Sequence, residues 1–193
     1  FCKLANSFSI MIKLGVTGGI GSGKSVVCEV LRLHDIPVYD ADLEAKRLND
    51  TSPVIREKLI EAFGAELYKN DKLDRKKLAQ LIFNDEKNLR QVNSIIHPEL
   101  AKHFEKWTDG RMEHSIVAID AAVLFEAGFQ QFVDKTITVF SPIETRIERV
   151  VKRDNLTREH ILSRINSQMS DEEKIKLSDF VIINDNKHSI LEQ

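Results

Sequence analysis

Eight consecutive residues constrain this chain more than any other feature: Gly18-Gly19-Ile20-Gly21-Ser22-Gly23-Lys24-Ser25 has the spacing G-x-x-x-x-G-K-S/T. An apolar run, Ile12, Leu14 and Val16, precedes it, and a helical pattern through Val26, Val27, Val30 and Leu31 follows it. Strand, glycine-rich turn and helix in that order build a cradle for phosphate. Glycine lets successive backbone amides turn inward without a Cβ clash, and the helix opening near Lys24 adds the positive end of its dipole. The alternative reading, a flexible Gly/Ser turn, does not require those flanks. The cradle is therefore expected to bind a nucleotide through Gly19, Ile20, Gly21, Ser22, Gly23, Lys24, Ser25 and Val26. Lys24 is expected to reach the β- and γ-phosphates, and the Ser25 hydroxyl to ligate Mg²⁺ between them.

The rest of the chain continues a strand and helix rhythm. A second strand, Ile36 to Tyr39, stops at Asp40, and Leu43, Ala45 and Leu48 then mark a helix. From Ser52 to Thr108 the pattern is almost wholly helical, with starts at Ser52-Pro53 and Asp74 and no convincing strand. Strands return at Ile116 to Ile119 and Thr136 to Phe140, and helices follow through Ile147, Val150 and Val151 and from Thr157 and His160 onward. Ser170 and Glu173 have the spacing of a capping box, Phe180 to Ile183 reads as a last strand, and a closing helix is expected to open after it. Strands separated by helices favour a parallel sheet, because parallel neighbours need crossover connections, and such sheets gather ligands at their carboxyl ends.

Length and composition set limits on partners. At 193 residues the chain fits one domain, read as 11–193 with a helical insertion at about 52–110 and a basic helical segment at about 142–170. A formal net charge of -2 supplies no global field to hold a polyanion, so no nucleic-acid partner is expected. Cys2 and Cys28 are too few for a disulfide framework, which suits the reducing cytoplasm, and both are read as free thiols. No run has the length of a membrane span. Residues 1–10, broken by Asn6, Ser7 and Ser9, read as a leader extension before a native start at Met11. Oligomeric state has no signature in the sequence.

Acceptor-side chemistry is sought at the other strand ends. Asp40-Ala41-Asp42 follows the second strand, so either carboxylate can take the proton of an acceptor hydroxyl, while either can equally cap the helix entered at Leu43. Asp120 ends the Ile116 to Ile119 strand, where an outer-shell Mg²⁺ carboxylate is expected, and the alternative is a turn aspartate. Arg146, Arg149 and Arg153 recur at three and four residues along one helical face, with Arg158 and Arg164 following. Guanidiniums so placed can neutralise a migrating phosphoryl group, although Glu144 and Glu148 also suit a solvated, ion-paired face. Glu126 is a candidate for the acceptor pocket wall, and His97-Pro98 reads as packing or capping rather than as a base.

Taken together, Gly18 to Ser25, Asp40-Ala41-Asp42, Asn93 to Pro98, Leu124-Phe125-Glu126 and the Arg149, Arg153, Arg164 and Gln168 series resemble the dephospho-CoA kinase family, from Met11 onward. The resemblance implies an α/β P-loop NTPase core, a three-layer sandwich around a parallel sheet, with a helical CoA-binding insertion and a mobile helical lid. It implies that ATP phosphorylates the ribose 3′-hydroxyl of dephospho-CoA, the last step of coenzyme A synthesis. Carried onto matching positions, it makes Asp42 the preferred base with Asp40 close second, and Arg149 and Arg153 the lid arginines, with His97, Glu126 and Arg164 on the substrate side. Val26 departs from the family's usual second hydroxyl, Ala122 from its usual Pro, and Ser178 from a small apolar residue.

Overall fold

A computed structural model describes residues 11–83 and 85–193; residues 1–10, read above as a leader, and Cys2 with them, lie outside. The chain opens with β1 (Ile12–Thr17), α1 (Lys24–Leu33), β2 (Val38–Asp40) and α2 (Ala41–Thr51). A helical stretch follows: α3 (Pro53–Phe63), a hairpin of β3 (Tyr68–Lys69) and β4 (Lys72–Leu73), α4 (Arg75–Ile82) and α5 (Glu86–Asp109). The second half returns to alternation with β5 (Ile116–Asp120), β6 (Lys135–Phe140), α6 (Ile143–Asp154), α7 (Arg158–Asn166), α8 (Asp171–Leu177) and β7 (Phe180–Ile183).

Five strands form one parallel sheet in the order β2-β5-β1-β6-β7. Its register aligns the strand ends that matter: Asp40 pairs with Asp120, and Val16, just before the glycine-rich loop, also pairs with Asp120. Both acidic strand ends therefore sit beside the cradle, as Cα partners along one sheet edge. Alternate side chains of β5 face opposite layers. Ala118 packs with Val16, Val27, Cys28 and Val139 under α1, whereas Ile119 joins Tyr39, Leu100, Phe104 and Phe129 under α5.

The long helix α5 couples the two halves of the molecule. Its Val92, Ile95 and Ile96 complete the core of the helical insertion with Ile55, Leu59 and Leu67, and its Leu100, Ala101 and Phe104 belong to the sheet core. The helix starts are those expected from their caps. Ser52 accepts from the Ile55 amide with Pro53 behind it, Asp74 accepts from Lys77, and Ser170 and Glu173 form a reciprocal capping box.

Two expectations are corrected. The insertion does contain strands, the β3-β4 hairpin, closed by Asn70 and Asp71 with φ of 49° and 61°. Two central residues at positive φ make the turn type whose twist matches paired strands, and Asn and Asp tolerate that region. Residues 184–193 hold no helix: they run as bends and turns, and the Gln193 carboxamide bonds both the amide and the carbonyl of Ile183.

Candidate active site

The glycine-rich loop is held from outside through its carbonyls. Arg146 Nε donates to the Ile20 carbonyl at 2.8 Å, Asn184 Nδ2 to the Ser22 carbonyl at 2.8 Å, and Arg149 Nη1 to the Gly21 and Ser22 carbonyls at 3.5 and 3.4 Å. Glycine is required where these elements press closest. Gly21 has φ 78° and a Cβ there would lie 2.6 Å from the Arg146 carbonyl oxygen; Gly23 has φ 92° and a Cβ there would meet Asn184 at 2.0 Å. Gly23 is the N-cap of α1 and supplies no side-chain cap, so the first amides of this ten-residue helix are left for a ligand.

A cavity of about 290 Å³ opens over the loop. Its walls include Gly18 to Ser22, Lys24, Ser25, Asp42, Arg153 and Gln168. Lys24, on the cavity wall, is paired with Asp120. Burial pulls its ammonium below the ordinary lysine range, opposed by the nearby charges of Asp42 and Asp40. Gln168 accepts from the Ile20 amide at 3.1 Å, tying the segment after α7 to the loop. Val26, included in the expected cradle, is half exposed on α1 and lines no part of this cavity.

The two aspartates at the end of β2 separate. Asp40 spends an oxygen on the Leu43 amide at 2.8 Å, the N-cap of α2. Asp42, inside the first turn, lines the loop cavity and a second cavity of about 190 Å³ between α2 and α5. His97 walls the second cavity, edge-on to Phe129 with ring centroids 6.0 Å apart, and burial holds its imidazole below the usual range. A third space of about 330 Å³ shares Asn93, His97, Ala127 and Phe129 with it, so the two are contiguous.

The basic helix distributes its arginines. Arg146, 2% exposed, pairs with Asp171. Arg149 braces the loop and Asn184, and Arg153 alone lines the phosphate cavity, its guanidinium clasped by Asp154 at 2.7 and 2.8 Å. Arg158 makes the surface pair with Glu144 that a solvated face requires. Arg164 is exposed and lines none of these three cavities. Glu126 also departs from expectation: it lies outside the acceptor cavities, 3.0 Å from the fully buried Lys174 and accepting from the Met169 amide. Lys174 in turn donates to the Ala122 carbonyl, which Thr17 also bonds, and so fixes the chain just past Asp120. No spacing signal links Glu126 to a lysine 48 residues on.

Among the described residues no cluster of three or more His, Cys, Asp or Glu forms a self-sufficient metal site. A nucleotide-borne Mg²⁺ does not ask for one, since it keeps waters and phosphate oxygens and needs one or two protein ligands. The Ser25 hydroxyl on the cavity wall and Asp120 beneath it fit that requirement. No described helix is long and apolar enough to cross a membrane.

Known proteins resemble this chain along most of its length. Residues 12–189 match the family model for dephospho-CoA kinase. A dephospho-CoA kinase of Bacteroides fragilis is 44% identical over 182 residues, covering 94% of this chain and 89% of the relative. Among solved structures, TT1252 from Thermus thermophilus superposes with a TM-score of 0.83 at 36% identity, covering 95% and 93% of the two chains. The dephospho-CoA kinase from Campylobacter jejuni superposes with a TM-score of 0.66 at 30% identity, covering 91% and 89%.

Proposed function

The chain belongs to the dephospho-CoA kinase family, and from that premise we propose that it transfers the γ-phosphoryl group of ATP to the ribose 3′-hydroxyl of dephospho-CoA. The observation that carries the residue-level reading is the position of Asp42, whose side chain borders both the phosphate cavity and the cavity between α2 and α5. A carboxylate on that shared wall meets the acceptor where it meets the γ-phosphate.

In this reading the 3′-oxygen attacks phosphorus in line, the bond to the β-phosphate oxygen breaks, and the hydroxyl proton passes to the Asp42 carboxylate. Backbone amides of the loop and Lys24 hold the polyphosphate, and Lys24 leaves Asp120 to do so. Arg153 leaves Asp154 and turns to the equatorial oxygens of the transferring group. Arg149 acts by keeping the loop in shape. Ser25 and Asp120 would hold Mg²⁺, which supplies charge neutralisation at the β- and γ-oxygens when bound with ATP. Asp40 is assigned to capping α2. His97 faces the acceptor as a neutral hydrogen-bonding wall. ATP and dephospho-CoA are the proposed partners, and the cytoplasm is the proposed location.

The deciding measurement is ADP formation with dephospho-CoA as acceptor, with the product analysed for 3′-phosphorylation. ATP turnover that is indifferent to dephospho-CoA would overturn the proposal in favour of a hydrolase.

A further inference from the structure

Glu126, expected on the acceptor wall, turns its carboxylate toward α8 and lines neither acceptor cavity. Its Oε1 lies 3.0 Å from Lys174 Nζ and accepts from the Met169 amide at 3.0 Å. Lys174 is fully buried, so its ammonium requires this counter-charge. The same ammonium donates to the Ala122 carbonyl at 2.9 Å, and Ala122 lines the phosphate cavity. Val123 and Ala127, close to Glu126 in sequence, do line the cavity between α2 and α5. Their turn is closed by its own backbone, the Ala127 amide on the Val123 carbonyl and the Phe129 amide on the Leu124 carbonyl, each at 2.8 Å. The acceptor wall therefore keeps its shape without the Glu126 carboxylate.

The Met169 amide stands one residue from Gln168, whose carboxamide oxygen accepts from the Ile20 amide at 3.1 Å on the wall of the phosphate cavity. On its other side Ile20 is held by Arg146, whose Nε donates to the carbonyl at 2.8 Å and whose guanidinium pairs with Asp171, the first residue of α8. Because each peptide unit is planar, these two bonds fix the planes on both sides of the Ile20 Cα, and with them the course of the loop into Gly21. Both supports come from the entry to α8, where Gln168 and Asp171 lie three residues apart with Met169 between them. A carboxylate that anchors the Met169 amide anchors that entry.

Resting on the nucleotide reading of the loop cavity alone, and not on the identity of the acceptor, we infer that Glu126 is a positioning residue of the nucleotide site. With Lys174 it holds the entry to α8 so that Gln168 and Arg146 keep Ile20, and hence the phosphate loop, in shape. Outer-shell partners of a bound metal typically cost about 10- to 100-fold when removed, and a group one step behind the phosphate loop is expected to fall at the lower end of that range.

The test measures ATP affinity in the presence of Mg²⁺ by calorimetry without any acceptor, and KM for ATP and for dephospho-CoA separately, in wild type and three variants. Glu126→Ala is expected to weaken ATP about 10-fold in both Kd and KM, with KM for dephospho-CoA within about two-fold of wild type. The double variant Glu126→Ala/Lys174→Met removes the charge pair together, leaves no unpaired buried ammonium, and should show the same ATP-selective loss even where the single variant fails to fold. Gln168→Ala breaks only the last link and should weaken ATP by a similar factor. An unchanged Kd for ATP in the double variant or in Gln168→Ala overturns the inference, as does a rise confined to KM for dephospho-CoA, the result expected of an acceptor-wall residue. If wild type binds ATP but does not phosphorylate dephospho-CoA, the proposed function fails, while the calorimetric comparison still decides the role of Glu126.

Discussion

Lys24, on the wall of the phosphate cavity, is paired with Asp120, with only 15% and 11% of their side chains exposed. The cation that is to hold the β- and γ-phosphates thus has a resident partner, and binding polyphosphate exchanges one anion for another. Removing either member leaves the other poorly solvated without compensation. Such losses run to 3–5 kcal/mol for fully buried pairs, and the residual exposure here reduces the expectation to about 2 kcal/mol. Lys24→Met and Asp120→Asn should each lower nucleotide-free stability by that amount, and the double variant should cost clearly less than their sum. Urea unfolding without nucleotide decides it; strictly additive single effects would show that the pair is not coupled.

Asp40 and Asp42 have separate duties and should respond separately. Asp42→Asn is expected to lower kcat by about 10² to 10⁴, the usual range for general-base assistance, with little change in stability. Asp40→Ala removes the N-cap of α2 and should cost about 1 kcal/mol, while Asp40→Asn, which still caps, should stay near wild type in both respects. Full kcat in Asp42→Asn would remove it from the role of base.

Much of this arrangement was legible because it depends on local rules. The glycine spacing, the strands on either side of it, and the caps at Ser52, Asp74 and Ser170 each express chemistry confined to a few neighbouring residues. The β3-β4 hairpin escaped because two residues per strand show no alternation, and its one signal was the pair Asn70-Asp71. The arginines escaped for a different reason. Helical spacing places Arg146, Arg149 and Arg153 along one face, yet Asp171, the loop carbonyls and the phosphate cavity claim them one each. What each meets depends on chain distant in sequence.

That distribution of arginines predicts two different kinetic phenotypes. Arg153→Ala should lower kcat by about 10² or more while leaving the KM for ATP within a few-fold, because its contact is made to the migrating group. Arg149→Ala should chiefly raise the KM for ATP, because the Gly21 and Ser22 carbonyls and Asn184 lose the guanidinium that shapes the loop. Steady-state kinetics with ATP varied separates them, and identical kcat and KM changes in both variants would contradict the division of roles.

The far side of the sheet carries a pH dependence of its own. Asp179, at the entry to β7, accepts from Lys135 Nζ, the Thr136 amide and the Thr136 hydroxyl, at 2.8, 2.8 and 2.9 Å. These bonds, the lysine's foremost, pull its carboxyl down to about 2. A carboxylate whose folded value lies below its unfolded one, about 3.9, makes the native state bind fewer protons than the unfolded chain. Its stabilising contribution is therefore complete above about pH 4 and is lost as pH falls toward 2. Asp179→Asn should unfold at lower urea than wild type at pH 7, and the gap between their midpoints should shrink as the pH is lowered from 5 to 2.5. A gap that stays constant over that window would mean that the tie between β6 and β7 owes nothing to the charge on Asp179.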